Sequence, residues 1–364
     1  MPLPLLVLLL LLLPLAARAE PMFGATFLPT NFQALAIDEA GRVAGRGMTP
    51  EGDAAAFVWT AASLGFLPPP APAGNTVVAN AIENGVAAGA WTLGGGTRGF
   101  VYSGGTSQDT GTLYGGDTVA WGVNAAGQAV GESLDPAGNP RAFLYSGGGI
   151  ADIGTLGGSY AQARDINNGG VIVGGSQPGP AFPDDGSHAF LYRDGVMTDL
   201  GTLGGGFSFA NAVNEAGQVA GYSLTAGDVA FHPFLYSGGT LLDLGSFGGD
   251  YAEARALNEA GMVVGLASLP GGGFSHAFLY ADGQLLDLNT LVEGGLGDFI
   301  LTEAVGINGA GQIVANGCND FGFCVPVLLS PVPEPAQALL LLAGLPLLGR
   351  RPLVHRLRRA IHRE

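Results

Sequence analysis

The sequence predicts an all-β protein made from one unit written about seven times. Three observations carry this. Apolar phrases of four or five residues, rich in Val, Ile, Leu, Phe and Tyr, sit between Gly and Asn. The phrases return at a nearly constant period. No stretch of residues 20–330 sustains the 3.6-residue spacing of an amphipathic helix.

The unit contains four phrases. The first is DxGTLGG, at Asp109 (with Tyr114 inserted), Asp152, Asp199 and Asp243, and it is shortened at Asp287. The second ends in Asn-x-x-Gly, with Asn at 124, 167, 214, 258 and 308, separated by 43, 47, 44 and 50 residues. Asp38 and Asn84 read as two earlier copies. The third is an apolar pair ending in Gly, as in Val130-Gly131 and Val173-Gly174. The fourth is AFLY, at Ala142–Tyr145, Ala189–Tyr192 and Ala277–Tyr280, with Pro233 replacing Ala in the copy after His232.

Each phrase has a local reason. Asn-x-x-Gly suits a four-residue turn, where Asn caps with its side chain and Gly takes the left-handed position. Asp194-Gly195 and Asp282-Gly283 follow Tyr-x and favour tight hairpins. Four short strands per unit of about 45 residues make one blade of a β-propeller. A β-solenoid is the competing architecture, with shorter repeats and caps that the chain lacks. Seven units fit between Met22 and Leu329, with Met22–Pro29 standing for a strand of the first phrase. Closure within the last blade and closure by an exchanged strand are both open at this level.

The ends read as addresses. Leu5–Leu13 is an unbroken apolar run followed by Ala17-Arg18-Ala19, which presents small residues where a signal peptidase reads. Residues 1–19 are therefore expected to be a signal peptide cut after Ala19, with the secretion translocon and signal peptidase as partners. Residues 20–330 form the repeat domain. Residues 331–364 combine a stiff Pro331–Pro335 segment, a short apolar helix over 336–349 and an arginine-rich tail. Fourteen helical residues span about 21 Å, short for a bilayer of about 30 Å, which suits a transient inner-membrane anchor.

Two resemblances follow from these residues. Val332-Pro333-Glu334-Pro335, the Leu-rich run and Arg350-Arg351 resemble the PEP-CTERM sorting signal of Gram-negative bacteria. That resemblance implies an exosortase-type membrane protease as partner and a cell-surface or extracellular destination. The repeat, above all His188–Tyr192 with Asp199–Gly205, resembles the extracellular HAF-repeat family across nearly all of residues 22–329. His-Ala-Phe itself is intact at 188 and 276. The family resemblance implies a secreted or surface-displayed protein and brings no catalytic residue with it.

Charge narrows the function. The chain carries 14 Lys+Arg, all of them Arg, against 30 Asp+Glu. Residues 20–333 hold seven Arg and 28 acids, a net charge of −21. Such a surface repels nucleic acid and anionic lipid. Cys318 and Cys324 are the only cysteines, and in an oxidising compartment they are expected to close a hairpin as a disulfide. His188, His232 and His276 share one repeat position and admit a metal or a structural hydrogen bond. The Asp at 109, 152, 199, 243 and 287 admits a calcium rim or a turn cap. No catalytic triad order, zinc-protease motif or phosphate loop is present, so no catalytic, cofactor or metal residue is assigned. The expected function is a non-catalytic surface protein that binds or builds polysaccharide or envelope material. The alternative is a secreted glycan lyase or hydrolase working at one mouth of the channel.

Overall fold

A computed structural model describes residues 21–70, 76–179, 186–272 and 274–333. Seven four-stranded antiparallel sheets stand around one axis, a seven-bladed β-propeller. The inner strands are Phe32–Ile37, Val77–Glu83, Thr118–Val123, Ala161–Ile166, Gly204–Val213, Ala252–Leu257 and Ile300–Ile307, in blades one to seven. The inner strand carries the residues before the Asn turn, the second strand the apolar-Gly pair, the third AFLY, and the outer strand ends at the Asp of DxGTLGG. The one helical element among the described residues is a 3₁₀ turn at Leu288–Thr290.

An exchanged strand closes the ring. Phe23–Phe27 pairs with Cys324–Pro331 and becomes the outer edge of blade seven, with Phe23 opposite Pro331 and Phe27 opposite Val327. The last blade therefore joins both ends of the domain. Cys318 and Cys324 face each other across the hairpin between its second and third strands and form a disulfide.

The core is divided into layers lying between neighbouring blades. Phe57, Phe100, Phe143, Phe190, Phe234 and Phe278, all from the AFLY position, are fully buried. Phe143, for example, packs with Val86, Ala88 and Val101 of the preceding blade. Burying one such ring contributes roughly 1.5–3 kcal/mol, so no blade stands without its neighbour. Opposite each Phe lies the Gly of the second strand, as Phe143 does with Gly131. A Cβ on Gly131 would collide with the carbonyl oxygen of Val119. Blade seven has Val327 and Ala315 at the two positions, and its inner strand carries a second register shift between Leu301 and Glu303.

One expectation about the repeat needs correction. Asn84 is not a copy of the turn asparagine. It occupies a two-residue hairpin turn with Gly85, at φ 49° and 80°, and Glu83 ends the inner strand there. Asp194-Gly195 and Asp282-Gly283 take the left-handed conformations expected of tight hairpins.

The segment expected to be a signal peptide, with Ala17 and Ala19, lies outside the described residues, as do Glu334, Pro335, Arg350, Arg351 and the apolar run between them. Val332 and Pro333 follow the last strand directly, and the Val332 amide donates to the Met22 carbonyl at 2.8 Å.

Candidate functional site

The two faces of the propeller differ in what they do with the repeat. One face carries the Asn turns and the third-to-outer hairpins. On it, the turn asparagine does two jobs. In Asn124 the Oδ1 atom accepts from the amides of Ala126 and Gln128, closing its own turn. The Nδ2 atom donates to the carbonyl of Asn167 on the next blade at 3.2 Å. Asn167 does the same to Asn214, Asn214 to Asn258, and Asn258 to Asn308. Asn308 reaches the carbonyl of Asp38 at 3.2 Å, across the seam between the two ends of the domain. The Asp38 side chain has no N–H to donate, and its carboxylate instead accepts from the Gly85 amide of blade two.

The residue after each asparagine adds a second, outer set of links. Glu215 accepts from the Asn168 amide, Glu259 from the Glu215 amide and Glu39 from the Gly309 amide. With Glu83 and Asp165 these carboxylates make the mouth of the channel acidic. Burial pushes the Asp165 carboxyl up to about 6, against the amides of Val213 and Ile166 that donate to it. Burial, with the charges of Asp38, Glu39 and Asp165, also raises Glu83.

The other face carries the loops from second to third strand and the DxGTLGG connections. The Asp of that phrase caps its own turn and meets a histidine or an arginine of the third strand. Asp199 accepts from the Gly201 amide at 2.7 Å and from His188 Nδ1 at 2.8 Å. His232 meets Asp243 at 2.9 Å and His276 meets Asp287 at 2.7 Å. In blades two and three the partner is arginine, Arg98 with Asp109 and Arg141 with Asp152, both at 3.0 Å. Burial works to raise Asp199, but the hydrogen bonds from His188 and Gly201 outweigh it and hold the carboxyl low. Each of the three histidines is thus engaged with an Asp of its own blade. Among the described residues, no three His, Cys, Asp or Glu side chains gather as a metal centre would require. Buried serines pin the connections, as Ser133, Ser176 and Ser223 accept from the amides of Leu113, Leu156 and Leu203.

Between the faces, every inner strand has a β-bulge at the same place. The extra residues are Leu35, Asn80, Trp121, Arg164, Asn211, Arg255 and Val305. Six of them line an axial cavity of about 330 Å³. A bulged residue is left out of the ladder, so its side chain can change without disturbing strand pairing. Here the seven-fold repeat loses its symmetry. Arg164 lies over the ring of Trp121 at 4.4 Å and that of Phe209 at 5.2 Å, a doubly stacked cation. Asn211 donates to the Glu253 carboxylate and the Ala254 carbonyl.

Two cavities open beside this ring on the loop face. One, of about 540 Å³, spans blades three to five and is lined by Ser159, Tyr160, Gln162, Arg164, Ser187, Phe207, Phe209 and Tyr222, with Asn139 and Pro140 at its edge. The other, of about 490 Å³, includes Gln33, Arg46, Asn80, Trp91 and Trp121. Phe207, Tyr222, Phe231 and Tyr251 continue the first as a belt of rings with centroids 5.6–6.3 Å apart. The Tyr251 hydroxyl donates to buried Glu253 at 2.6 Å. Burial and then the Glu253 charge push Tyr222 up to about 12, and the same causes raise Tyr251. Both phenols therefore stay neutral hydrogen-bonding groups at ordinary pH. Aromatic faces beside amide, hydroxyl and guanidinium groups suit a ligand that is apolar on one side and polar at its rim.

The sequence reading did not single out this cluster. Its residues lie at bulge and strand-start positions that differ from unit to unit, and that departure from the repeat was the available signal. The chain matches no family model and no curated protein. Among solved structures it is similar to the β-propeller domain of the Trilobed protease from Pyrococcus furiosus, described as having an open velcro topology. That match has a TM-score of 0.57 and 8% identity, covering 86% of this chain and 98% of that one. It is also similar to the acylaminoacyl peptidase of Pyrococcus horikoshii, with a TM-score of 0.50 and 10% identity, covering 89% of this chain and 54% of that one. At such identities the likeness is one of fold.

Proposed function

We propose that this propeller is exported to the cell surface or extracellular matrix and binds a saccharide of that environment at its loop face, without catalysis. The observation that supports binding is the aromatic cavity over blades three to five, with Phe207, Phe209 and Tyr222 beside Gln162, Ser159 and Arg164. Ring faces pack against the C–H faces of a pyranose while the polar rim meets its hydroxyls. The export part of the proposal rests on the two terminal segments and on the resemblances to HAF repeats and the PEP-CTERM signal. Signal peptidase and an exosortase-type protease are its proposed partners.

A glycan array followed by calorimetry tests binding. Phe207→Ala should weaken the best array ligand by about 10-fold or more, the loss expected for a ring contact of roughly 1.4 kcal/mol. Absence of any ligand at millimolar concentration would leave a passive matrix component. Shortened glycans in the same incubations would favour the second reading, a glycan-active enzyme. Glu132 is the carboxylate that reading would use, since its Oε1 is held by Trp121 Nε1 at 3.3 Å while its buried Oε2 has no hydrogen-bond partner among the described residues. Mass spectrometry of the mature protein tests export, with Glu20 as the expected first residue. Intact polypeptide recovered from the cytosol would overturn it.

A further inference from the structure

We infer that the cavity over blades three to five takes a saccharide bearing a carboxylate, seated on Arg164. The inference rests on the saccharide reading above and names its chemical class.

Four observations meet at this cavity. First, two buried donors there have no hydrogen-bond partner among the described residues, Arg164 Nε and the Ser187 hydroxyl. Buried polar groups are almost always paired, and each orphan costs about 1–3 kcal/mol until something occupies it. Second, among the described residues, Arg164 is the only charged one lining the cavity. Third, it lacks the carboxylate contact that four other arginines make. Arg42, Arg98, Arg141 and Arg255 each lie within 4 Å of a carboxylate, whereas Arg164 has no such contact among the described residues. Glu132 and Glu253 act on it only through space. Fourth, Trp121 and Phe209 fix the guanidinium plane. A planar cation held in place is prepared to meet a planar anion with two parallel hydrogen bonds.

The rest of the lining limits what carries that anion. Phe207 and Tyr222 offer ring faces, and Gln162, Asn139 and Ser187 offer amide and hydroxyl groups. A carboxylate on a polyhydroxylated ring, as in a uronic acid, satisfies all of them at once. A chain this acidic repels polyanions at long range, so recognition of one acidic sugar falls to a local cation shielded from the remaining field.

The test compares uronate disaccharides with their methyl esters, which keep the ring and remove the charge. Digalacturonate, diglucuronate and dimannuronate serve as probes for calorimetry on the full chain. At least one acid should bind 10-fold or more tightly than its ester, and this advantage should shrink as NaCl rises from 50 to 500 mM. Arg164→Gln should abolish the advantage, bringing the ratio of acid to ester affinity to about 1. Ser187→Ala should weaken acid and ester alike by roughly 2- to 10-fold, and it keeps the proposal testable if Arg164→Gln fails to fold. Acid and ester of equal affinity, or array ligands that are all neutral, would overturn the carboxylate inference and leave saccharide binding standing. No binding by any probe or array glycan would overturn both.

Discussion

The turn face and the loop face of this propeller are made by the same repeat and put it to opposite uses. On the turn face, five asparagines in equivalent positions close their own turns and reach the next blade, passing the same bond from Asn124 to Asp38. Between the faces, beside the cavities of the loop face, the bulge positions hold Leu, Asn, Trp, Arg, Asn, Arg and Val in turn. The physical difference is what each side chain must satisfy. A turn asparagine completes backbone groups that every blade shares, so the same residue serves each time. A bulge residue completes no ladder bond, and its identity is released to make a cavity.

Substitutions can break this contrast. The largest effect should come from the layers between blades that both faces depend on. Phe143→Ala should cost about 3–5 kcal/mol, read as a large fall in melting temperature with any ligand binding lost as a consequence. Asn214→Ala removes a turn cap and an inter-blade bond together, at about 1–3 kcal/mol. It should lower the melting temperature and leave glycan affinity at the opposite face unchanged. A change in affinity of more than a few-fold would mean the two faces are coupled.

A pH series sharpens the contrast further. Asp165 has its folded pKa raised to about 6, so its contribution is complete below the unfolded value near 3.9 and is lost as pH rises through 6. Asp199 is shifted down, so its contribution is present above the unfolded value and lost as acid protonates it. Denaturation of Asp165→Asn at pH 4, 5, 6 and 7 should show a smaller loss between 4 and 6 than the parent. An unchanged slope would place the titration elsewhere. The smallest effect belongs to His232→Ala, which breaks a half-exposed pair with Asp243 and should cost under about 1 kcal/mol in an unfolding titration.

Much of the architecture was legible in the sequence because it is periodic. AFLY, the glycine pair and Asn-x-x-Gly read as strands and turns, and the count of about seven blades followed from their spacing. The reason for the second-strand glycine was hidden, since the carbonyl it avoids, that of Val119 for Gly131, belongs to a neighbouring strand. Asn84 misled because its dipeptide with Gly85 resembles the longer turn in composition while making a tighter one. The pairing of His188 with Asp199 is an across-sheet contact, and neither phrase alone reveals it.

The sequence by itself determined that this chain is sheet throughout its repeat, how many sectors it has, and where its turns fall, because those properties depend on local patterns that recur. Tertiary structure alone decided that Phe23–Phe27 closes the last blade and that Arg164 lies between Trp121 and Phe209 with no carboxylate in contact among the described residues. Both are relations between residues far apart in the chain, and only the closing of the ring brings them within reach of one another.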